Sequence, residues 1–242
     1  MATPSPRPPA DVEALLALLQ RDPGRPRITW YGSGGERVEL SGAVLANWVS
    51  KTTNLLVEEF DAAPGTRVLV DLPAHWRSLV WALGAWRTGA EVVPADADGR
   101  AVDGGATDLA VTWRPDAHTG ADVVAVALPA LARRFEGTLP PSAVDAAAAV
   151  MTYGDVVGWV PPADPSSAAA PGLTHEDLFR GAGAAAPGAR VLRRVVRGPV
   201  TAAELEAWLG LLAVDGSVVL VLEDADVDVD RVVSDERALP HA

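Results

Sequence analysis

Few residues in this chain could do covalent or metal chemistry, and their spacing narrows the choice further. The four histidines are His75, His118, His175 and His241. No two stand at metal-ligand spacing, and a metal site needs several converging ligands, so no metal is expected. There are no cysteines, which excludes disulfides, thiolate metal sites and cysteine nucleophiles. No Gly-x-Ser-x-Gly elbow anchors a hydrolase triad. Lys51 is the only lysine. Gly32-Ser-Gly-Gly35 joins two short strands rather than a strand and a helix, so it fails as a dinucleotide fingerprint and reads as a hairpin turn. Gly181 to Ala186 matches G-x-G-x-x-A, but it ends a helix and precedes a strand. That order is the reverse of a helix N-terminal anion site, and it reads as a C-terminal cap and loop. Glu223 to Asp230 alternates acidic and apolar residues. A calcium loop starting at Asp224 would need glycine sixth and glutamate twelfth, where Val229 and Asp235 stand. The run reads as a solvated edge strand or tail. No catalytic residue is assigned.

Composition sets the class of molecule that would have to position any site. A chain of 242 residues with 49% hydrophobic content can bury a substantial core. The net charge of −12 argues against nucleic acid and anionic membranes as partners, since both require a positive field. No apolar run approaches the length of a membrane span. Met1 to Ala10 is Pro- and Ser-rich without a following apolar region, so it reads as a flexible lead rather than a signal peptide. A cytoplasmic location is expected.

The most ordered stretch runs from Arg67 to Pro94. Val68 to Leu72 forms an apolar strand ended by Pro73. Trp76, Leu79, Val80, Leu83 and Trp86 recur at helical spacing and share one face. Gly89 stops that helix, and Glu91 to Pro94 is a second strand. This βαβ unit implies a parallel sheet. Upstream, Asp11 caps a helix with Val12, Leu15, Leu16 and Leu19 on its apolar stripe. Residues 27–31 and 37–40 form a hairpin, and Ser41 caps a helix running to about Phe60. Downstream, Leu109 to Val111 and Val123 to Val126 are candidate strands, and Thr174 caps a further helix. A second βαβ unit follows, with strands at Arg190 to Val196 and Ser217 to Leu222. The helix between them carries Leu205, Trp208, Leu209 and Leu212 on one face and opens with a Thr201/Glu204 capping box. The fold class is therefore α/β, a mainly parallel sheet flanked by helices. The expected regions are a lead at 1–10, a first α/β region at 11–160, a second at 161–235 packed on the first, and a tail at 236–242.

The order of these features resembles the N-terminal part of adenylate-forming enzymes, the acyl-CoA synthetases, luciferases and peptide-synthetase adenylation domains. Ile28 to Pro94 carries most of the likeness, above all Pro64-Gly-Thr-Arg-Val68 and Leu72 to Pro94. Leu173-Thr-His-Glu-Asp-Leu178 resembles the family's Thr-His segment, and Arg190 to Leu192 with Leu211 to Val221 resembles two later segments. The chain is also similar to short actinobacterial relatives of that group. The resemblance implies a Ser/Thr/Gly-rich phosphate loop ending in Pro-Lys just before the Thr-His segment. Here that place is Pro165-Ser-Ser-Ala-Ala-Ala-Pro-Gly172, with two serines and no lysine. With Lys51 alone in the chain, the family's C-terminal-domain lysine has no counterpart either. The family's adenine- and ribose-binding motifs fall in its second half, beyond the part matched.

The departures lead to the reading of a non-catalytic relative of AMP-binding acyl-CoA synthetases, a pseudoenzyme with no cofactor. It would act by binding a small ligand or a protein partner. The alternative is an adenylate-forming ligase, either working by itself or as one half of a split enzyme completed by a second polypeptide, using ATP or AMP. In that case Ser166, Ser167, Thr174 and His175 would lie nearest the phosphates. Trp81 points away from the Trp76/Leu79/Leu83 face. It is either covered by a second layer in a sandwiched helix or contacts a ligand, a partner chain or a second copy in a homo-oligomer.

Overall fold

Local signals set most of the element starts. Asp11 Oδ1 accepts the Ala14 N–H at 2.7 Å and caps helix α1 (Val12–Leu19), whose Val12, Leu15, Leu16 and Leu19 are buried. Strands β1 (Pro26–Tyr31) and β2 (Arg37–Ser41) form the expected antiparallel hairpin around a short turn at Ser33–Gly35. Ser41 Oγ accepts the Val44 N–H at 3.4 Å at the start of α2 (Gly42–Phe60). Then come β3 (Arg67–Asp71), α3 (Trp76–Thr88), β4 (Glu91–Pro94), β5 (Leu109–Thr112), β6 (Asp122–Ala125), β7 (Val144–Asp145) and the single-turn α4 (Ala146–Ala149). A small hairpin, β8 (Ala168–Ala170) and β9 (Leu173–Thr174), precedes β10 (Arg190–Val195), α5 (Ala202–Ala213), β11 (Ser217–Leu222), α6 (Val229–Asp235) and β12 (Leu239–Pro240). This computed structural model describes residues 7–181 and 186–240; the first six residues of the expected lead, the middle of the Gly181–Ala186 motif and His241 lie outside them.

The chain divides into two units. Unit 1 comprises residues 1–46, 176–197 and 203–242. Its sheet has the order β12-β10-β11-β1-β2, parallel except for the β1–β2 hairpin. Strands β10 and β11 with α5 are the second βαβ unit, and Leu205, Trp208, Leu209 and Leu212 on α5 are buried. The division differs from the expected boundary at 160/161. The reason is non-local: Ile28 to Tyr31 pair in parallel with Val218 to Val221, so the N-terminal hairpin joins the C-terminal strands. The expected tail is likewise part of this sheet through β12. The acidic alternation is not an edge strand: Asp228 Oδ1 accepts N–H bonds from Asp230 and Arg231 and caps α6.

Unit 2 comprises residues 47–175 and 198–202. Its sheet is wholly parallel, in the order β4-β3-β5-β6-β7. Leu109 to Thr112 are buried throughout, as strands covered on both faces require. Gly89 ends α3 with φ 86°, a conformation that costs a Cβ-bearing residue. A Cβ there would also stand 2.7 Å from Pro64 Cγ. The other face of α3 approaches α2 so closely that a Cβ on Gly84 would lie 2.6 Å from Thr52 Cγ2. Helix α3 is thus enclosed, and all its residues but Arg87 are buried.

Candidate functional site

In the unit 2 sheet the chain runs from β3 out to β4, then returns past β3 to β5 on its other side. The direction of winding reverses between β3 and β5. In open parallel sheets ligand sites form outside the carboxyl ends of the strands at that point. The last residues of these two strands are Asp71 and Thr112, and both are fully buried. Asp71 Oδ2 accepts from Thr112 Oγ1 and from His118 Nε2, each at 2.7 Å. Arg114 grips the same carboxylate bidentately, with Nη2 at 2.8 Å from Oδ1 and Nε at 2.9 Å from Oδ2. Arg114 Nη1 also donates to Ala97 O at 2.9 Å and so ties the return loop to the cluster. Burial alone would raise the Asp71 pKa. Hydrogen bonds from His118, Arg114 and Thr112 outweigh it and hold the carboxyl at about 2. The carboxylate is saturated with donors and fixes the ring of His118, whose Nε2 carries the proton facing Asp71. Neither Asp71 nor Arg114 stood out in the sequence. The available signal was a carboxylate closing an apolar strand beside a Thr-x-Arg that ends the neighbouring strand.

Beyond the ends of β5 and β6 lies a groove of about 420 Å³, lined by Trp113, Leu128, Leu131, Phe135 and neighbouring small residues, with Glu136 at its edge. The loop that forms it is pinned twice. Arg77, buried and stacked 4.3 Å from the Trp76 ring, donates to Leu128 O and Pro129 O. Phe135 N donates to Asp145 Oδ2 at 2.8 Å. His75 opens α3 by accepting the Arg77 N–H on Nδ1. Its burial, aided by the Arg77 charge, lowers its pKa to about 3, so it is neutral at physiological pH.

The four residues that the resemblance set nearest a phosphate loop, Ser166, Ser167, Thr174 and His175, lie in the approach to the β8–β9 hairpin, in β9 and in the 3-10 turn after it. Ser166 donates both its N–H and its hydroxyl to Asp164 Oδ1, at 3.0 and 2.7 Å. Ser167 donates its N–H and hydroxyl to Asp164 O, at 3.0 and 2.7 Å. His175 N donates back to Ser167 O at 3.0 Å, and the Trp86 indole donates to Ala169 O at 2.8 Å. The segment is a closed turn and hairpin centred on an acidic side chain. The Asp164 pKa is lowered by the Ser166 hydroxyl and then by backbone N–H groups. Thr174 does not cap a helix as expected: its buried Oγ1 has no hydrogen-bond partner, and only a short 3-10 turn follows at His175–Asp177. His175 Nε2 is also buried without a partner, and burial depresses the ring pKa.

Trp81 is 3% exposed, so the partner-surface expectation is corrected. The helix that carries it lies against α2 as well as the sheet, which is the sandwiched arrangement. The exposed tryptophans are Trp113 at 46% and Trp159 at 65%. Lys51 is committed to structure: its Nζ donates to Tyr153 O at 2.5 Å and pairs with Asp155 Oδ1 at 2.7 Å. Among the described residues no group of three or more His, Asp or Glu side chains could hold a metal ion, and no helix is long and apolar enough to cross a membrane.

No family model matches the chain. Among solved structures it is similar to an acyl-CoA synthetase from Brucella canis, with TM-score 0.71 and 16% identity over 97% of this chain and 47% of the other. Two structures of the amide bond synthetase McbA from Marinactinospora thermotolerans match at TM-scores of 0.62 and 0.58, each at 15% identity over 94% of this chain and 47% of theirs. The chain spans about half the length of these structures. It has the fold of one half of an adenylate-forming enzyme, mixed α/β with mostly parallel sheets, as the sequence resemblance implies. A TIGR03089 family protein of Mycobacterium tuberculosis (strain ATCC 25618 / H37Rv) is 36% identical over 221 residues, which is 88% of each chain. At that identity and coverage the chain belongs to the TIGR03089 family.

Proposed function

We propose that this chain keeps the adenylate-forming scaffold without its nucleotide chemistry and works as a binding module. The observation that carries this reading is the chain's own carboxylate in the phosphate-loop segment. A phosphate loop works by offering free backbone N–H groups, hydroxyls and a cation to an anion. Here the donors of Ser166 go to Asp164 Oδ1 and those of Ser167 to Asp164 O. An incoming triphosphate would have to displace these bonds and face the Asp164 negative charge. The one lysine that could offset this is held by Tyr153 and Asp155. ATP and AMP are accordingly not ligands of this chain in this reading, and its partner is a small molecule or a protein.

The test is ATP–pyrophosphate exchange by the purified chain with a panel of short, long and aromatic carboxylates. No exchange above the protein-free rate is expected. Carboxylate-dependent exchange with any member of the panel would overturn the proposal in favour of a working ligase.

A further inference from the structure

Residues 151–164 form an exposed segment with an unusual construction. After a 3-10 turn at Val150–Thr152 they have no regular secondary structure, yet polar anchors hold them along α2. Asn54, buried, donates Nδ2 to Gly154 O at 3.2 Å and to Val156 O at 2.9 Å, and accepts the Gly158 N–H at 3.0 Å. Lys51 adds its bond to Tyr153 O and its pair with Asp155, and the Tyr153 hydroxyl donates to Glu59. The anchors bury polar atoms, while the large apolar side chains face outward: Met151 is 62% exposed, Val156 78% and Trp159 65%. A fixed backbone presenting a tryptophan and two aliphatic side chains to water has the composition of an interface anchor. Its charged surroundings are acidic, with Glu58 and Glu59 exposed on α2 and Asp155 and Asp164 within the segment.

The groove beyond β5 and β6 has the opposite character. It is concave and apolar, its loop is pinned by Arg77 and Asp145, and Leu131 at its mouth is 93% exposed. Between Leu131 and Phe135 stand Arg133 and Arg134, both exposed and carrying no ion pair or hydrogen bond among the described residues. Glu136, an exposed carboxylate, lines the groove beside them, so the loop carries two positive charges against one negative, a net positive edge in a chain of net charge −12 that suits an apolar anchor flanked by carboxylates.

We infer that the occupant of this groove is a second copy of the chain, seating its own Met151–Trp159 segment. Trp159 packs against Trp113, Leu131 and Phe135, and the acidic flank of the segment meets Arg133 and Arg134. A two-fold pair repeats the contact, each copy giving one segment and one groove, so the closed dimer has two identical seats. The net charge opposes association in general, so the local arginine–carboxylate match selects this docking over others. The pairing uses surfaces of unit 2 alone and holds whether or not the chain turns over ATP.

Sedimentation of the full chain over a wide concentration range tests it. A concentration-dependent dimer that weakens with added salt is expected. Trp159→Ala should weaken dimerisation at least about 30-fold, the size of an interface hot spot. The double variant Arg133→Glu/Arg134→Glu should do the same. All these positions are exposed, so each variant should keep the wild-type melting temperature when both are measured at a dilution where the wild type is monomeric. A monomer at the highest soluble concentration overturns the inference and leaves the surface to a different protein. A dimer that either variant leaves intact also overturns it.

Discussion

Asp71 illustrates how far one side chain can be understood from its neighbours. Its carboxyl titrates near 2, below its ordinary value of 3.8. A depressed carboxyl stabilises the fold fully above its unfolded pKa, and that contribution is lost as pH falls through the folded value. We therefore expect Asp71→Asn to remove about 2 kcal/mol of acid-sensitive stability. The wild-type chain should lose this contribution between about pH 4 and pH 2, and the variant should show a flatter acid limb in urea unfolding. His75 works at higher pH. Its pKa falls from 6.5 to about 3 on folding. The unfolded chain then binds one more proton between those values, so stability is complete above pH 6.5 and declines as pH drops. The expected slope is about 1.4 kcal/mol per pH unit near pH 5. His75→Asn keeps an acceptor for the Arg77 N–H and should abolish that slope. An unchanged slope in the variant would remove His75 as its source. Neither residue was assigned a role from the sequence. Their properties come from partners 41 to 47 residues away for Asp71 and from burial for His75, and a linear pattern encodes neither.

At the scale of elements, α3 separates what a sequence shows from what it conceals. Its limits, its Trp76/Leu79/Leu83/Trp86 face and the parallel strands around it were legible because periodicity, Pro73 and Gly89 all act locally. The fate of Trp81 was not, because the covering layer is supplied by α2 through the Gly84–Thr52 approach. Trp81→Ala should cost about 3 to 5 kcal/mol by leaving a cavity while leaving self-association untouched. Trp159→Ala should do the reverse, and thermal melts beside sedimentation distinguish them. Gly84→Val should destabilise by about 1 to 3 kcal/mol, because the added carbons must displace Thr52. The same limit explains the other differences. Thr174 has the residue type of a cap but lacks the geometry, since β9 leads into a single 3-10 turn. The division into units follows the pairing of β1 with β11, about 190 residues apart, which no window of sequence reveals. The candidate site was less legible than the fold. The serines were found by position, but their engagement with Asp164 depends on a turn that only the structure defines.

For the whole molecule, the chain belongs to the TIGR03089 family and has the fold of one half of an adenylate-forming enzyme, and its activity is left to be tested. Two groups with chemical potential are engaged within the chain: the Ser166 and Ser167 hydroxyls close a turn on Asp164, and the single lysine anchors an exposed apolar segment. The most direct test of the central claim is calorimetric titration of the full chain with magnesium ATP, accompanied by melting curves at the same nucleotide concentrations. A ligand that binds only the folded state at a hundredfold excess over its Kd stabilises by about 2.7 kcal/mol, so binding would be plain in both readouts. The predicted result is no saturable heat and no rise in Tm; a saturable heat with a matching rise in Tm would contradict the account.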